Sequence, residues 1–371
     1  AALETVDLVA LGTAQIVALG TAGAAALSSA ALVALGTAQL AALSTAQVRG
    51  LATEAVAGLP VADLNALGTA QVVALSTAQL GALGTAQLAG LNTVQVSALA
   101  TAQVQSLATD SLNALTSAQF RALTVFQVAA LTTAQVAALE TVDVAGLATG
   151  QISALTTAGV AALSSVAAVA LSTAQVVALS TAQVRALSTV DLAAMETVDL
   201  ASLGTAQVAV LGTAQLAALT TAQLSNLGTA QVAAMTTVQV ANLATSSLNA
   251  LKASQFAALT TAQVAGLSTS QVAALETADV ASLGTAQIRA LNTAAVAAMA
   301  TAAVVALTTA QAAVLTTSQI ANLTTAGVLA LETVDLNALD TAQVSSFSTA
   351  QLAALSTTQV ASLGTAQLAA L

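Results

Sequence analysis

The chain has 371 residues, of which 57% are apolar, 5% charged and 1% aromatic, against a charged share of about 25% in ordinary soluble domains. Fifteen acids against five bases give a net charge of -10. That balance speaks against nucleic-acid binding, because neutralising phosphates takes clustered Lys and Arg. There is no Cys or His, which removes disulfides, thiolate or imidazole metal sites and His-based nucleophilic triads.

From Leu3 a large apolar residue returns every eight positions, at 11, 19, 27 and onward to Leu371. The series has 47 members, all Leu except Met195, Met235, Met299 and Phe347. The unit is L-(S/G/T)-T-A-Q-V-x-A, as in Leu43-Ser44-Thr45-Ala46-Gln47-Val48-Arg49-Gly50. Its third slot is Thr in 40 of 46 units and its fifth is Gln or Asp in 36. The register never slips, so the chain reads as one continuous repeat array over 1–371.

A continuous α-helix advances about 100° per residue, so an eight-residue stripe would wind around it. A strand needs period two, and the Leu-to-Val spacings of five and three break it. A short helix restarting in every unit fits both signals. With Ser44 as N-cap, Gln47 falls at N3 and completes a capping box, while Leu43 and Val48 take the hydrophobic-staple positions. A frame shifted by one, with Thr45 as the cap, is the alternative; the Thr slot is the stricter of the two, and Pro60 is an awkward N-cap. Helices this short do not stand alone, since isolated helices below ~12–15 residues are marginal in water. The expected fold is therefore all-α: an α-solenoid of short helices, one per octad, coiled into a superhelix. Leu and Val should be buried. The seventh slot, which holds Arg49, Arg121, Arg185 and Arg289, should face solvent.

A longer period overlies the octad. AALETVDLVALGTAQIVALGTAG at Ala1 recurs in altered form at Ala137 and Ala273, dividing the array into blocks 1–136, 137–272 and a partial 273–371. Leu112-Asn113-Ala114-Leu115 matches Leu248-Asn249-Ala250-Leu251, and Phe120 matches Phe256. Gene-block duplication and a whole number of superhelical turns per block both account for it.

Five units carry Glu in the cap slot and Asp three residues on: Glu4 with Asp7, Glu140 with Asp143, Glu196 with Asp199, Glu276 with Asp279, and Glu332 with Asp335. Such pairs offer oxygen ligands to Ca²⁺; they equally complement the positive end of a helix dipole. The Thr row reads either as turn chemistry, through local hydroxyl bonds to backbone, or as an ice-binding face. No catalytic constellation and no cofactor site is visible. Polar residues interrupt every apolar octad, so no membrane span is expected, and no charged leader with an apolar stretch opens the chain.

The L-x-T-A-Q-V-x-A unit resembles the octapeptide arrays of very large bacterial surface or secreted proteins, adhesion-like or haem-utilisation-like, over the whole chain. The helix start S-T-A-Q-V is also similar to T-P-E-Q-V of TAL-effector repeats, without their longer unit or DNA-reading loop. The bacterial resemblance implies an extracellular or cell-surface location. With the low charge, it points to a structural, self-assembling component of a filament, sheath or stalk whose partner is itself. A binding solenoid for peptide, glycan or ice is the alternative. The first and last octads both follow the interior consensus without polar caps, and end-to-end or lateral homo-assembly is the expectation drawn from that.

Overall fold

A computed structural model describes residues 5–371. Among them lie 46 helices, from α1 (Thr5–Val9) to α46 (Thr365–Leu368), each of four to six residues, with no strand. The chain divides into two compact units, one ending at Leu187 and one spanning Ser188–Leu371; α1 to α23 lie in the first and α24 to α46 in the second.

The first question is why an Ala-rich chain breaks its helix every eight residues. In α6 (Thr45–Gly50), Ser44 is the N-cap, held extended at φ -67°, ψ 156°. Its Oγ accepts the N–H of Gln47 (3.2 Å), and the Gln47 Oε1 accepts the N–H of Ser44 (2.9 Å). Both halves of the capping box are thus present, and the helix starts one residue after the cap slot. It ends at Leu51, whose N–H turns to the carbonyl of Val48 at 3.3 Å, a tightened last turn before the next extended cap. Thr45 takes the first helical position and is exposed. Thr is therefore not the cap, and the frame starting at the second slot is the one the chain adopts.

Pro60 fills the cap slot of α8 (Val61–Ala66) with φ -60° and ψ 155°. Its ring already favours the extended geometry the position needs, so the slot that looked unsuitable for it is compatible. Unit three departs from the pattern. There α3 (Gly20–Ala25) begins a residue early, Leu19 stays helical, and Gly20 has φ +63°. With Gly20 in the cap slot and Gly23 at the fifth, neither half of a capping box exists, and Gly20 tolerates the left-handed turn.

The repeat pattern of burial follows the helix frame. Leu43, Gln47 and Val48 are buried, while Ser44, Thr45, Ala46 and Arg49 are exposed. The four Arg residues face solvent as expected. Phe120 and Phe256 are fully buried. Within each unit a helix packs on the one three places further along, as α6 does on α9 (Thr69–Ala74) and α29 (Thr229–Ala234) on α32 (Ala253–Ala258).

Candidate functional site

The most regular polar feature is a row of buried glutamines. Gln47, at the third position of its helix, is 1% exposed, a depth at which an unpaired amide would cost roughly 1–3 kcal/mol. Gln71 illustrates how the cost is avoided. Its Oε1 accepts the N–H of Gly68 (2.7 Å), and its Nε2 donates to the carbonyls of Leu40 (2.8 Å) and Leu43 (2.7 Å). Those carbonyls close α5 (Thr37–Ala42), four helices earlier. One side chain thus satisfies a donor at the start of its own helix and two acceptors at the end of another, groups that helix ends otherwise leave unpaired.

The bond recurs along both units. Gln79 Nε2 donates to Val48 and Leu51 (3.0 and 2.8 Å), Gln127 to Val96 and Leu99 (2.9 and 2.7 Å), and Gln271 to Val240 and Leu243 (2.9 Å each). Packing to the third helix and bonding to the fourth place between three and four helices in each turn of the coil within a unit. The sequence foretold the Oε1 half of this row; the Nε2 half, spanning 28 and 31 residues, carries no local signal.

Aspartate replaces Gln in some units. Asp143, 1% exposed, is the third residue of α18 (Thr141–Gly146), and its Oδ2 accepts the N–H of Glu140 at 3.1 Å. Asp279 does the same toward Glu276 in α35 (Thr277–Ser282), also at 3.1 Å. Burial pushes both carboxyls above their ordinary value; the Glu140 or Glu276 N–H opposes this, and the neighbouring Glu charge adds to it. A carboxylate has no N–H to give, so the contact to the earlier helix is missing. Asn113 and Asn249 lie 30 residues before these aspartates. Their Nδ2 atoms donate to Ala138 (2.6 Å) and Ala274 (2.5 Å), while each Oδ1 is buried with no donor. Their recurrence at the 136-residue offset was the available signal.

Of the candidate calcium ligands, Glu4 lies outside the described residues. In the other pairs the glutamates Glu140, Glu196, Glu276 and Glu332 are exposed. Asp143, Asp199, Asp279 and Asp335 are buried, and Asp7 is exposed. The four pairs from Glu140 onward are thus split between solvent and interior, and among the described residues no three acids gather where a metal ion would sit. Two surface concavities lie on the described residues, one beside Val305, Leu329 and Glu332 and one beside Arg289, Val314 and Asp340. No helix of the described residues is long and apolar enough to cross a membrane.

The remaining surface is repetitive and almost uncharged. The fourth slot stands out from the helix start, and where it is not Ala it is often apolar and exposed: Val94, Val142, Val166, Val238 and Val334, with Phe126 at 76%.

Short helices restarting every octad, packed on the third neighbour and, where Gln fills the fifth slot, bonded to the fourth, define an all-α solenoid repeat protein. Twelve matches to the family described as the ALTTAQ repeat, most of them overlapping, run from residues 1–37 to 328–365 with 170–191 unmatched, and the chain belongs to that family. Comparison with curated proteins and with solved structures finds no match.

Proposed function

We propose that the chain is a structural, self-assembling repeat protein that forms or spaces an extracellular bacterial filament, sheath or surface stalk, and that it carries out no catalysis. The observation that carries this reading is the pairing of a glutamine-tied interior with a monotonous, charge-poor exterior. The buried amides tie successive turns together, which favours stiffness over adaptability. Outside, 5% charged residues leave little electrostatic repulsion between copies. Exposed Val and Phe side chains in the fourth slot offer apolar contact points on the exterior, and the partner is a second copy of the same chain. Electron microscopy of the full chain tests this. Filaments or sheets are expected; dispersed particles at high protein and salt concentration would contradict the reading.

A second reading, a solenoid presenting a repetitive surface to peptide, glycan or ice, is favoured by one observation. Thr45, Thr69 and Thr77 each begin a helix with an exposed side chain, so hydroxyls recur along the exterior at fixed intervals.

A further inference from the structure

At Asp143 and Asp279 acceptors outnumber donors. In an ordinary repeat, the Leu carbonyl 28 residues before the fifth slot receives the Gln amide, as Leu43 does from Gln71. The equivalents here are Leu115 and Leu251, and no protein donor reaches either carbonyl. Two residues before them in the chain stand Asn113 and Asn249, whose buried Oδ1 atoms have no donor, and the fifth-slot carboxyl accepts its hydrogen bond from its own helix start. Buried acceptors without donors are costly, and the same excess occurs at both places, 136 residues apart.

We propose that Asp143 and Asp279 are proton-closed breaks in the glutamine ladder: protonation of the carboxyl supplies the donor that a Gln amide supplies elsewhere, so the array tightens at these two points as its surroundings become acidic. The O–H of the neutral acid donates toward the acceptors around Leu115 or Leu251, while the other oxygen keeps its bond from the Glu140 or Glu276 N–H. The surrounding charges are few. The helix α18 packs on α15 (Ser117–Ala122) and α21 (Ser165–Val169). Of these, α15 brings Arg121, whose Nε donates to Gly146 (3.5 Å) at the far end of α18, and α21 brings no charge. Glu140 and Asp110, on α14 (Thr109–Asn113), are exposed. Around α35, the packed helices α32 and α38 (Thr301–Val305) bring only Lys252, at the cap of α32, and Glu276 is exposed. No cation is bonded to either aspartate.

The sign follows from burial. Both carboxyls titrate above the ordinary 3.8 in the folded chain, so the folded state binds more protons than the unfolded one as pH falls toward that value. Stability contributed by these groups is fully present below 3.8 and is lost as pH rises through the folded value.

The test is thermal unfolding of the full chain, followed by circular dichroism at neutral pH and at a pH just above the ordinary Asp value. The variants are Asp143→Asn/Asp279→Asn, which places a permanent N–H donor at each site, and Asp143→Gln/Asp279→Gln, which rebuilds the ladder. A Glu54→Gln/Asp110→Asn control removes two exposed acids with the same change in charge. The wild type and the control are expected to gain about 2 °C or more in Tm on acidification. The Asn and Gln variants should start higher at neutral pH and lose most of that gain. The proposal is overturned if both ladder variants melt at or below the wild type at neutral pH, or keep its full acid response. It is also overturned if calcium alone raises the wild-type Tm at neutral pH but not that of the Asn variant, which would make the aspartates cation ligands.

Discussion

The side-chain amide of Gln71 donates to the carbonyl of Leu43 across 2.7 Å of space and 28 residues of sequence. Leu43 is both the residue that ends α5 and the apolar residue that precedes the next cap. The glutamine therefore reads the end of one helix while fixing the start of its own.

Replacing Gln71 by Glu separates the two halves of that role, since Glu keeps the acceptor and loses the donor. A loss of about 1–3 kcal/mol is expected at neutral pH, the range for stranding buried polar partners. The loss should shrink on acidification, when the carboxyl regains a proton to donate. Gln71→Ala should lose a similar amount without pH dependence. Chemical denaturation at two pH values measures both.

Leu43 is 3% exposed, and Leu43→Ala should cost about 2–5 kcal/mol. Ser44→Ala removes only the bond that the Gln47 N–H donates to Ser44 Oγ and should cost about 1 kcal/mol. Equal shifts in thermal unfolding would mean that the Leu row is not the core.

Two glycines should respond in opposite directions. A Cβ on Gly90 would run into Val61 Cγ1, and the stiff β-branched side chain cannot swing away freely. Gly90→Ala should destabilise by about 1–3 kcal/mol. At Gly81, in α10 (Thr77–Gly81), nothing lies within 4 Å of the added carbon. Gly81→Ala should stabilise by about 0.4–1 kcal/mol by restricting the unfolded chain. Parallel melting curves check the pair.

If copies associate through the exposed fourth slot, Phe126→Ser combined with Val142→Thr and Val166→Thr should weaken association and leave the melting temperature nearly unchanged, because these side chains are 76%, 52% and 68% exposed. Sedimentation velocity compares the two chains; unchanged association with unchanged stability would remove this surface from the account.

The helix frame was legible in the residues because capping is local. Ser44, Gln47, Leu43 and Val48 lie within six positions of one another, and their spacing alone selects the cap slot. The strictness of Thr45 pointed one residue too far. Thr sits at the first helical position with its side chain outward, and the hydroxyl that caps belongs to Ser44. The acidic pairs were visible as pairs, but their division into an exposed Glu140 and a buried Asp143 depends on which way each side chain turns from the helix start. The bond from Gln71 to Leu43 was out of reach, because it depends on the number of helices per turn. An octad fixes where each helix begins and which face it buries; the angle between successive helices comes from packing of the third neighbour.

The claim that each buried glutamine closes two helices at once is tested most directly by hydrogen exchange in Gln71→Glu at neutral pH. Protection should fall in two separate places: residues 68–72, around the start of α9, and residues 40–44, at the end of α5. Loss confined to residues 68–72 would contradict the account and reduce the glutamine row to a series of independent helix caps.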